Sequence, residues 1–268
     1  MALIALTSAK GSPGASTAAL AFTLTWKNPV VLVECDPAGG DLLSGYLSRL
    51  EIPADRGLLQ VAMADTRNNL PEEFWSQLID LDAPHRRRLA LPGISSPSQG
   101  NTLRPTWPRL AAFLAGLEHG QPGYDVIADC GRLATTHAPW PLFHRADLVL
   151  VALRPTSLRS VAPVWPVLSE LRRDLIEAGL PPHRLGLLLI GSGPYKAREI
   201  EQRLQCPVVV ELPFDTKTAT ALCEGGRLKG SRDLLRHAAS AEDAVRQAIT
   251  ALRRQPGAAS QPEAAHVG

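Results

Sequence analysis

Short, unbroken apolar runs punctuate this chain at Ala2–Leu6, Val30–Val33, Val126–Ala128, Leu148–Leu153, Leu185–Ile190 and Val208–Leu212. Runs without polar alternation suit strands buried on both faces, as in a parallel sheet. Between them, apolar residues fall at helical spacing over Ser16–Leu24, Leu110–Leu117, Val164–Ala178 and Ala197–Leu204. This alternation predicts right-handed βαβ units and hence an α/β fold, a doubly wound, mostly parallel sheet with helices on both faces. Residues 50–108 are less regular. Helices are expected near Gly57–Ala64 and Pro71–Leu81, a basic run Arg86–Arg88 leads into apolar Leu89–Leu91, and Pro92–Pro108 reads as a long loop. One domain is expected through residue 254, followed by a small, polar tail (255–268) that is expected to be disordered.

Composition narrows the class. With 268 residues, 45% hydrophobic and 20% charged, the chain can bury a sizeable core. A net charge of +2 does not by itself argue for a nucleic-acid partner. The four cysteines, at 35, 130, 206 and 223, form no CxxC pair, which disfavours a zinc or disulfide framework and fits a reducing compartment. The first residues lack the pattern of a secretory signal, and no window approaches the roughly 18 apolar residues of a membrane span. A cytoplasmic location is the expectation.

The first apolar run leads into Thr7-Ser8-Ala9-Lys10-Gly11-Ser12-Pro13-Gly14-Ala15-Ser16-Thr17 and then an alanine-rich helix. A glycine loop between strand and helix turns backbone N–H groups inward, and the helix dipole adds attraction for an anion. Gly11 and Gly14 permit close approach to phosphate oxygens, and Ser16 offers a hydroxyl to a magnesium ion. The ordinary phosphate-loop pattern ends Gly-Lys-Ser/Thr; here Ala15 stands in place of the lysine. A tight strand-to-helix turn without a ligand remains the alternative.

Acids follow two later strands. The second run continues Glu34-Cys35-Asp36-Pro37-Ala38-Gly39-Gly40-Asp41, which is also good turn chemistry. The third ends Asp129-Cys130-Gly131, and an aspartate directly after an apolar strand suits a water-mediated magnesium contact. Cys35 and Cys130 read as small buried side chains.

In order and wording these segments resemble the ParA/MinD family of P-loop ATPases. Lys10, Gly11, Gly14 and Ser16-Thr17 match its deviant Walker A loop, Lys-Gly-Gly-x-Gly-Lys-Thr/Ser-Thr, whereas Ser12 and Ala15 depart from it. Ala146–Thr156 resembles the family's "ADLVLVV…P" strand, and Pro207–Gly226 its closing "P(V/I)L…(I/L)P-x-D…A-x-x-x-G". The degenerate loop is closest to the TadZ/CpaE-like branch.

The resemblance implies ATP and Mg²⁺ as cofactors, with residues 11–17, Pro213 and Asp215 around the nucleotide. It implies Ser16, Asp36 and Asp129 around the metal. Lys10 would reach the phosphates of a partner subunit and Asp36 would orient the attacking water. It implies a homodimer that positions cellular machinery, in partitioning or in Tad-type pilus or secretion systems, through protein partners. A non-specific DNA or membrane surface is left open. The Arg86–Arg88 run reads as a solvated basic edge, and a last helix near Ala241–Leu252 as packed on the sheet.

The missing lysine removes a charge-assisted hydrogen bond of roughly 1.5–3 kcal/mol, so hydrolysis is expected to be slow or absent. Family members often place an asparagine after Ile190 to read adenine, and here the sequence is Gly191-Ser192-Gly193. These two departures support the alternative of a nucleotide-free scaffold that dimerises constitutively. A metabolic ligase on the same fold would need the lysine that Ala15 replaces.

Overall fold

The computed structural model describes residues 2–10, 13–133, 137–226 and 232–254. The expected tail therefore lies outside the described residues, as do Gly11 and Ser12. In chain order, β1 (Leu3–Ser8) leads to α1 (Ala15–Thr25) and β2 (Val30–Glu34). Then come α2 (Leu58–Asp65), α3 (Leu70–Gln77), β3 (Ile79–Asp80), β4 (Arg88–Leu91), α4 (Gly100–Leu103) and α5 (Trp107–Gly116). The second half runs β5 (Asp125–Arg132), α6 (Trp140–Arg145), β6 (Leu148–Leu153), α7 (Leu158–Val161), α8 (Val164–Glu177) and β7 (Leu185–Ile190). It closes with α9 (Ala197–Leu204), β8 (Val208–Leu212), α10 (Thr216–Glu224) and α11 (Asp233–Arg254).

The strands form one sheet in the order β3-β4-β2-β5-β1-β6-β7-β8, parallel throughout except for the β3–β4 pair. Successive residues of β1 alternate between two apolar layers: Leu3 and Ala5 join one, Ile4 and Leu6 the other. The first layer is filled from α2, α3, α5, α6 and α8, the second from α1, α10 and α11. Both faces of the inner strands are dry, which is why their sequences show no period of two. Alanines at 18, 19 and 21 let α1 lie close to the sheet and to α11.

Three expectations change. The helix expected over Pro71–Leu81 stops at Gln77, because the Arg56 guanidinium takes the carbonyls of Ser76, Gln77 and Leu78 at 2.7–3.0 Å. Ile79–Asp80 then forms the antiparallel edge strand β3. Pro92–Pro108 is not one long loop: Ser96 and Gln99 cap a 3₁₀ turn at Pro97–Gln99, α4 follows, and α5 already begins at Trp107. The last helix starts earlier than expected, at Asp233, and packs on the sheet through Leu234, Ala238, Ala241, Val245 and Ile249.

The end of the sheet opposite the phosphate loop is held by a buried polar cluster. Asp125, fully buried, accepts from Ala2 N–H (2.7 Å), Trp26 Nε1–H (2.8 Å) and the Arg246 guanidinium (2.5 Å). Arg246 also donates to buried Glu242 (2.8 Å), which accepts from Lys27 N–H at 2.6 Å. Removing Arg246 takes the ion-pair partner from two buried carboxylates. Arg246→Ala should therefore lower unfolding free energy by about 3 kcal/mol, measurable by urea denaturation.

Candidate functional site

The parallel strands β1, β2, β5 and β6 all end on one edge of the sheet, the edge where ligands bind in open α/β folds. There Gly14 opens α1 in the left-handed region, at φ +104° and ψ 25°, a conformation that disfavours any side chain. Its carbonyl accepts Ala18 N–H at 2.9 Å and starts the helix. No side chain caps α1 and its first turn carries no acid. The first N–H groups of a helix have no partners within it, so this end stays positive and open to an anion. Pro13 and Ala15 are buried, while Lys10 is exposed on the far side of the loop.

The acids converge beneath this loop. Glu34, the last residue of β2, and Asp129, inside β5, are register partners, and both are buried. Asp129 accepts Gly131 N–H at 3.2 Å, and the nearby Ser16 side chain helps to hold its pKa down. Burial pushes its pKa up to about 6, and the nearby charges of Asp36 and Asp41 act in the same direction.

Glu34 serves as a tie between loops. One carboxylate oxygen accepts Asp41 N–H (2.8 Å) and Leu42 N–H (2.9 Å), and the other accepts Gly93 N–H (2.9 Å). Burial outweighs these bonds and raises its pKa to about 7. A Cβ at Gly40 would lie 2.5 Å from this carboxylate, so glycine there lets the loop close on it.

Asp36 is partly buried, accepts Ala38 N–H at 2.7 Å, and sits against Gly131. A Cβ at Gly131, at φ +61°, would fall 2.0 Å from the Asp36 carboxyl carbon. Burial raises its pKa, opposed by the Ala38 bond and by Arg132. Burial likewise keeps the Cys35 and Cys130 thiols well above their ordinary value, as expected of inert packing groups.

Two hollows flank the loop. The first, about 240 Å³, is bordered by Ser16, Thr17, Glu34, Asp41, Tyr46 and Cys223. The second, about 190 Å³, lies between the start of α1 and the end of β8, beside Gly14, Thr17, Arg154, Ile190, Pro213 and Phe214. Over its Phe214 ring stands the Arg154 guanidinium, 3.9 Å from the centroid. Asp215 also borders it, but its carboxylate caps α10, accepting Thr218 N–H (3.1 Å) and Oγ1–H (2.6 Å). Burial opposes, yet these bonds hold its pKa below the ordinary value.

No side chain stands where the asparagine would. Gly191 has φ +81° with Phe214 Cβ only 3.0 Å from an added Cβ, and Gly193 lies under the Pro155 carbonyl.

Of the expected site residues, Pro13, Gly14, Ala15, Ser16, Thr17 and Asp129 come together, with Pro213 bordering the second hollow and Asp36 beside Gly131. Asp215 serves its helix cap, and exposed Lys10 borders a hollow that none of these acids lines. Sequence reasoning passed over Arg154, Phe214 and Asp41. The available signals were an aromatic inside Pro-x-Asp and an arginine directly after a buried strand.

Among the described residues no group of three or more His, Cys, Asp or Glu side chains forms a metal cluster. Ser16 and buried Asp129, which border the same hollow, instead give a sparse oxygen site. That suits magnesium, which keeps most of its ligands as water and phosphate oxygen.

The doubly wound sheet with a glycine turn opening the first helix is the fold of several solved ParA and MinD proteins. The chain is similar to a putative plasmid partition protein from Borrelia burgdorferi bound to AMPPNP, with TM-score 0.64 and 14% identity over 92% of this chain and 98% of that one. A ParA family ATPase from Chlorobium tepidum gives 0.61 and 16%, over 91% and 97%. The MinD cell division protein of Aquifex aeolicus gives 0.59 and 15%, over 95% and 96%. At these identities the likeness is one of fold. No family model matches the sequence, and no curated protein matches it.

The raised carboxyl at Glu34 has a definite sign. An acid whose folded pKa lies near 7 against an ordinary 4.5 holds its proton longer in the folded state. Its contribution is full below about pH 4.5 and is lost as pH rises to about 7, at up to about 1.4 kcal/mol per pH unit. Urea unfolding between pH 4.5 and 8 should show this decline in the wild type and a flatter profile in Glu34→Gln.

Proposed function

We propose that this chain is a ParA/MinD-like nucleotide-binding protein that positions cellular machinery, with residues 1–254 acting as one P-loop domain. The observation that carries this reading is the uncapped, acid-free start of α1 at left-handed Gly14, with Ser16 of its first turn and buried Asp129 bordering one hollow. That arrangement offers N–H donors to a polyphosphate on one side and oxygen ligands for its counter-cation on the other. The AMPPNP bound to the partition protein of like fold supports a nucleotide as the ligand.

In this reading the loop from Lys10 to Thr17 surrounds the phosphates, and Ser16 and Asp129 hold Mg²⁺, which neutralises phosphate charge. Asp36, braced by Ala38 N–H and by Gly131, lies where a water could be oriented. Exposed Lys10 is available to a second copy, and Pro213 and Phe214 border the base. With Ala15 in place of lysine, phosphate neutralisation is incomplete, so the nucleotide acts as a ligand more than as a substrate. The output is a homodimer that recruits protein partners, as the complex of MinC with the similarly folded MinD illustrates. The degenerate loop favours the TadZ/CpaE-like role in pilus or secretion assembly.

A second reading, a nucleotide-free scaffold, draws on Ala15 and on the bare Gly191-Ser192-Gly193 turn. Calorimetry separates the two. AMPPNP with magnesium should bind while ATP turnover stays at background, and Ala15→Lys should tighten binding by about tenfold to a hundredfold. Absence of any heat with ATP, ADP and AMPPNP, with a dimer already present in sedimentation, would establish the scaffold. A robust magnesium-dependent ATPase rate would overturn the slow-turnover part.

A further inference from the structure

The charges around the loop are unevenly divided. On the Ser16 side lie Glu34, Asp41 and Asp129, and among the described residues no salt bridge joins any of them to a cation. A polyphosphate lying only there would meet carboxylates and no lysine, because position 15 is a buried alanine. The other side differs. Arg154 follows β6, whose Ala152 is the register partner of Ser8 at the end of β1, so its backbone stands directly beside the phosphate loop. The side chain borders the hollow shared with Gly14 and Thr17, and also a neighbouring one beside Lys10, Pro13 and Thr156. Among the described residues Asp215 is the one carboxylate bordering either hollow, and it is already committed to Thr218.

Arg154 itself is poised and unsatisfied. Its Nε is shut off from water and makes no hydrogen bond, an unusual state for a buried donor. The face of the guanidinium rests on the Phe214 ring at 3.9 Å, which fixes the plane and leaves the edge N–H groups for an acceptor. A planar fork held in this way matches two oxygens of a phosphate.

We infer that Arg154, steadied by Phe214, is the phosphate-binding cation of this protein and takes over the task of the lysine that Ala15 replaces. Its ligand is the polyphosphate of a nucleoside triphosphate, approached from the β6 side of the loop. The metal site at Ser16 and Asp129 then lies on the opposite side, so positive charge reaches the phosphates from both flanks.

This inference rests on the nucleotide-binding reading above, and one set of titrations tests both. Calorimetry compares AMPPNP with magnesium against AMP, for wild type, Arg154→Gln and Arg154→Lys, with circular dichroism to show that each variant is folded. Arg154→Gln should weaken AMPPNP by about tenfold to a hundredfold and AMP much less, so that the preference for the triphosphate collapses; Arg154→Lys should restore part of it.

An equal loss for both nucleotides would make Arg154 a prop for the base-side wall and overturn the inference while leaving nucleotide binding intact. An unchanged AMPPNP affinity in folded Arg154→Gln would also overturn it. A wild type that binds neither nucleotide would overturn the inference together with the reading on which it stands.

Discussion

Glu34 at the end of β2 and Asp129 within β5 lie side by side inside the protein, with no ion-pairing cation among the described residues. Two carboxyl groups so placed repel, and each is costly to ionise away from water. Backbone donors make the arrangement tolerable: three N–H groups from two loops converge on Glu34, and Gly131 N–H serves Asp129. The loop after β2 and the loop after β4 are thereby fixed relative to one another. Asp36, Asp41 and the mouth of the first hollow take their positions from this constraint, and so does the acidity that any ligand must meet there.

Ala15 looks at first like a simple loss. Set against the distribution of charge it changes the geometry of recognition more than its existence. A lysine at that position would place positive charge within the loop, between the acids and the phosphates. In the proposed site the acids would keep their own side for a hydrated divalent ion, and positive charge would stand across the loop at Arg154, just after β6. Such a site would hold a nucleotide while supplying little of the charge compensation that breaking a phosphate bond requires.

Much of the fold was legible because inner parallel strands are dry on both faces and therefore appear as plain apolar runs. Leu148–Leu153 and Leu185–Ile190 coincide with β6 and β7 for that reason. What escaped depends on contacts distant in sequence. Nothing local in Pro71–Leu81 announces that Arg56 will take the carbonyls that end α3, and Ile79–Asp80 is too short to signal a strand.

The site divides in the same way. The loop from Pro13 to Thr17 and Asp129 can be read from strand-loop-helix order alone. Asp215 illustrates the opposite case: an acid in a promising motif whose carboxylate serves its own helix. Arg154 and Phe214 are separated by a whole βαβ unit, and only the folded sheet lays the guanidinium on the ring.

The cluster of Asp125, Trp26, Arg246 and Glu242 joins the opening of the chain to its close. Trp26 belongs to the first βα unit and Arg246 lies near the end of the last helix, and the apolar cover of α1 is largely supplied by that helix. During synthesis, then, α1 is made well before α11, and it lacks that apolar cover until α11 has followed. A truncated or stalled product would display an alanine-rich segment with nothing to lie against, the kind of surface that chaperones and proteases engage.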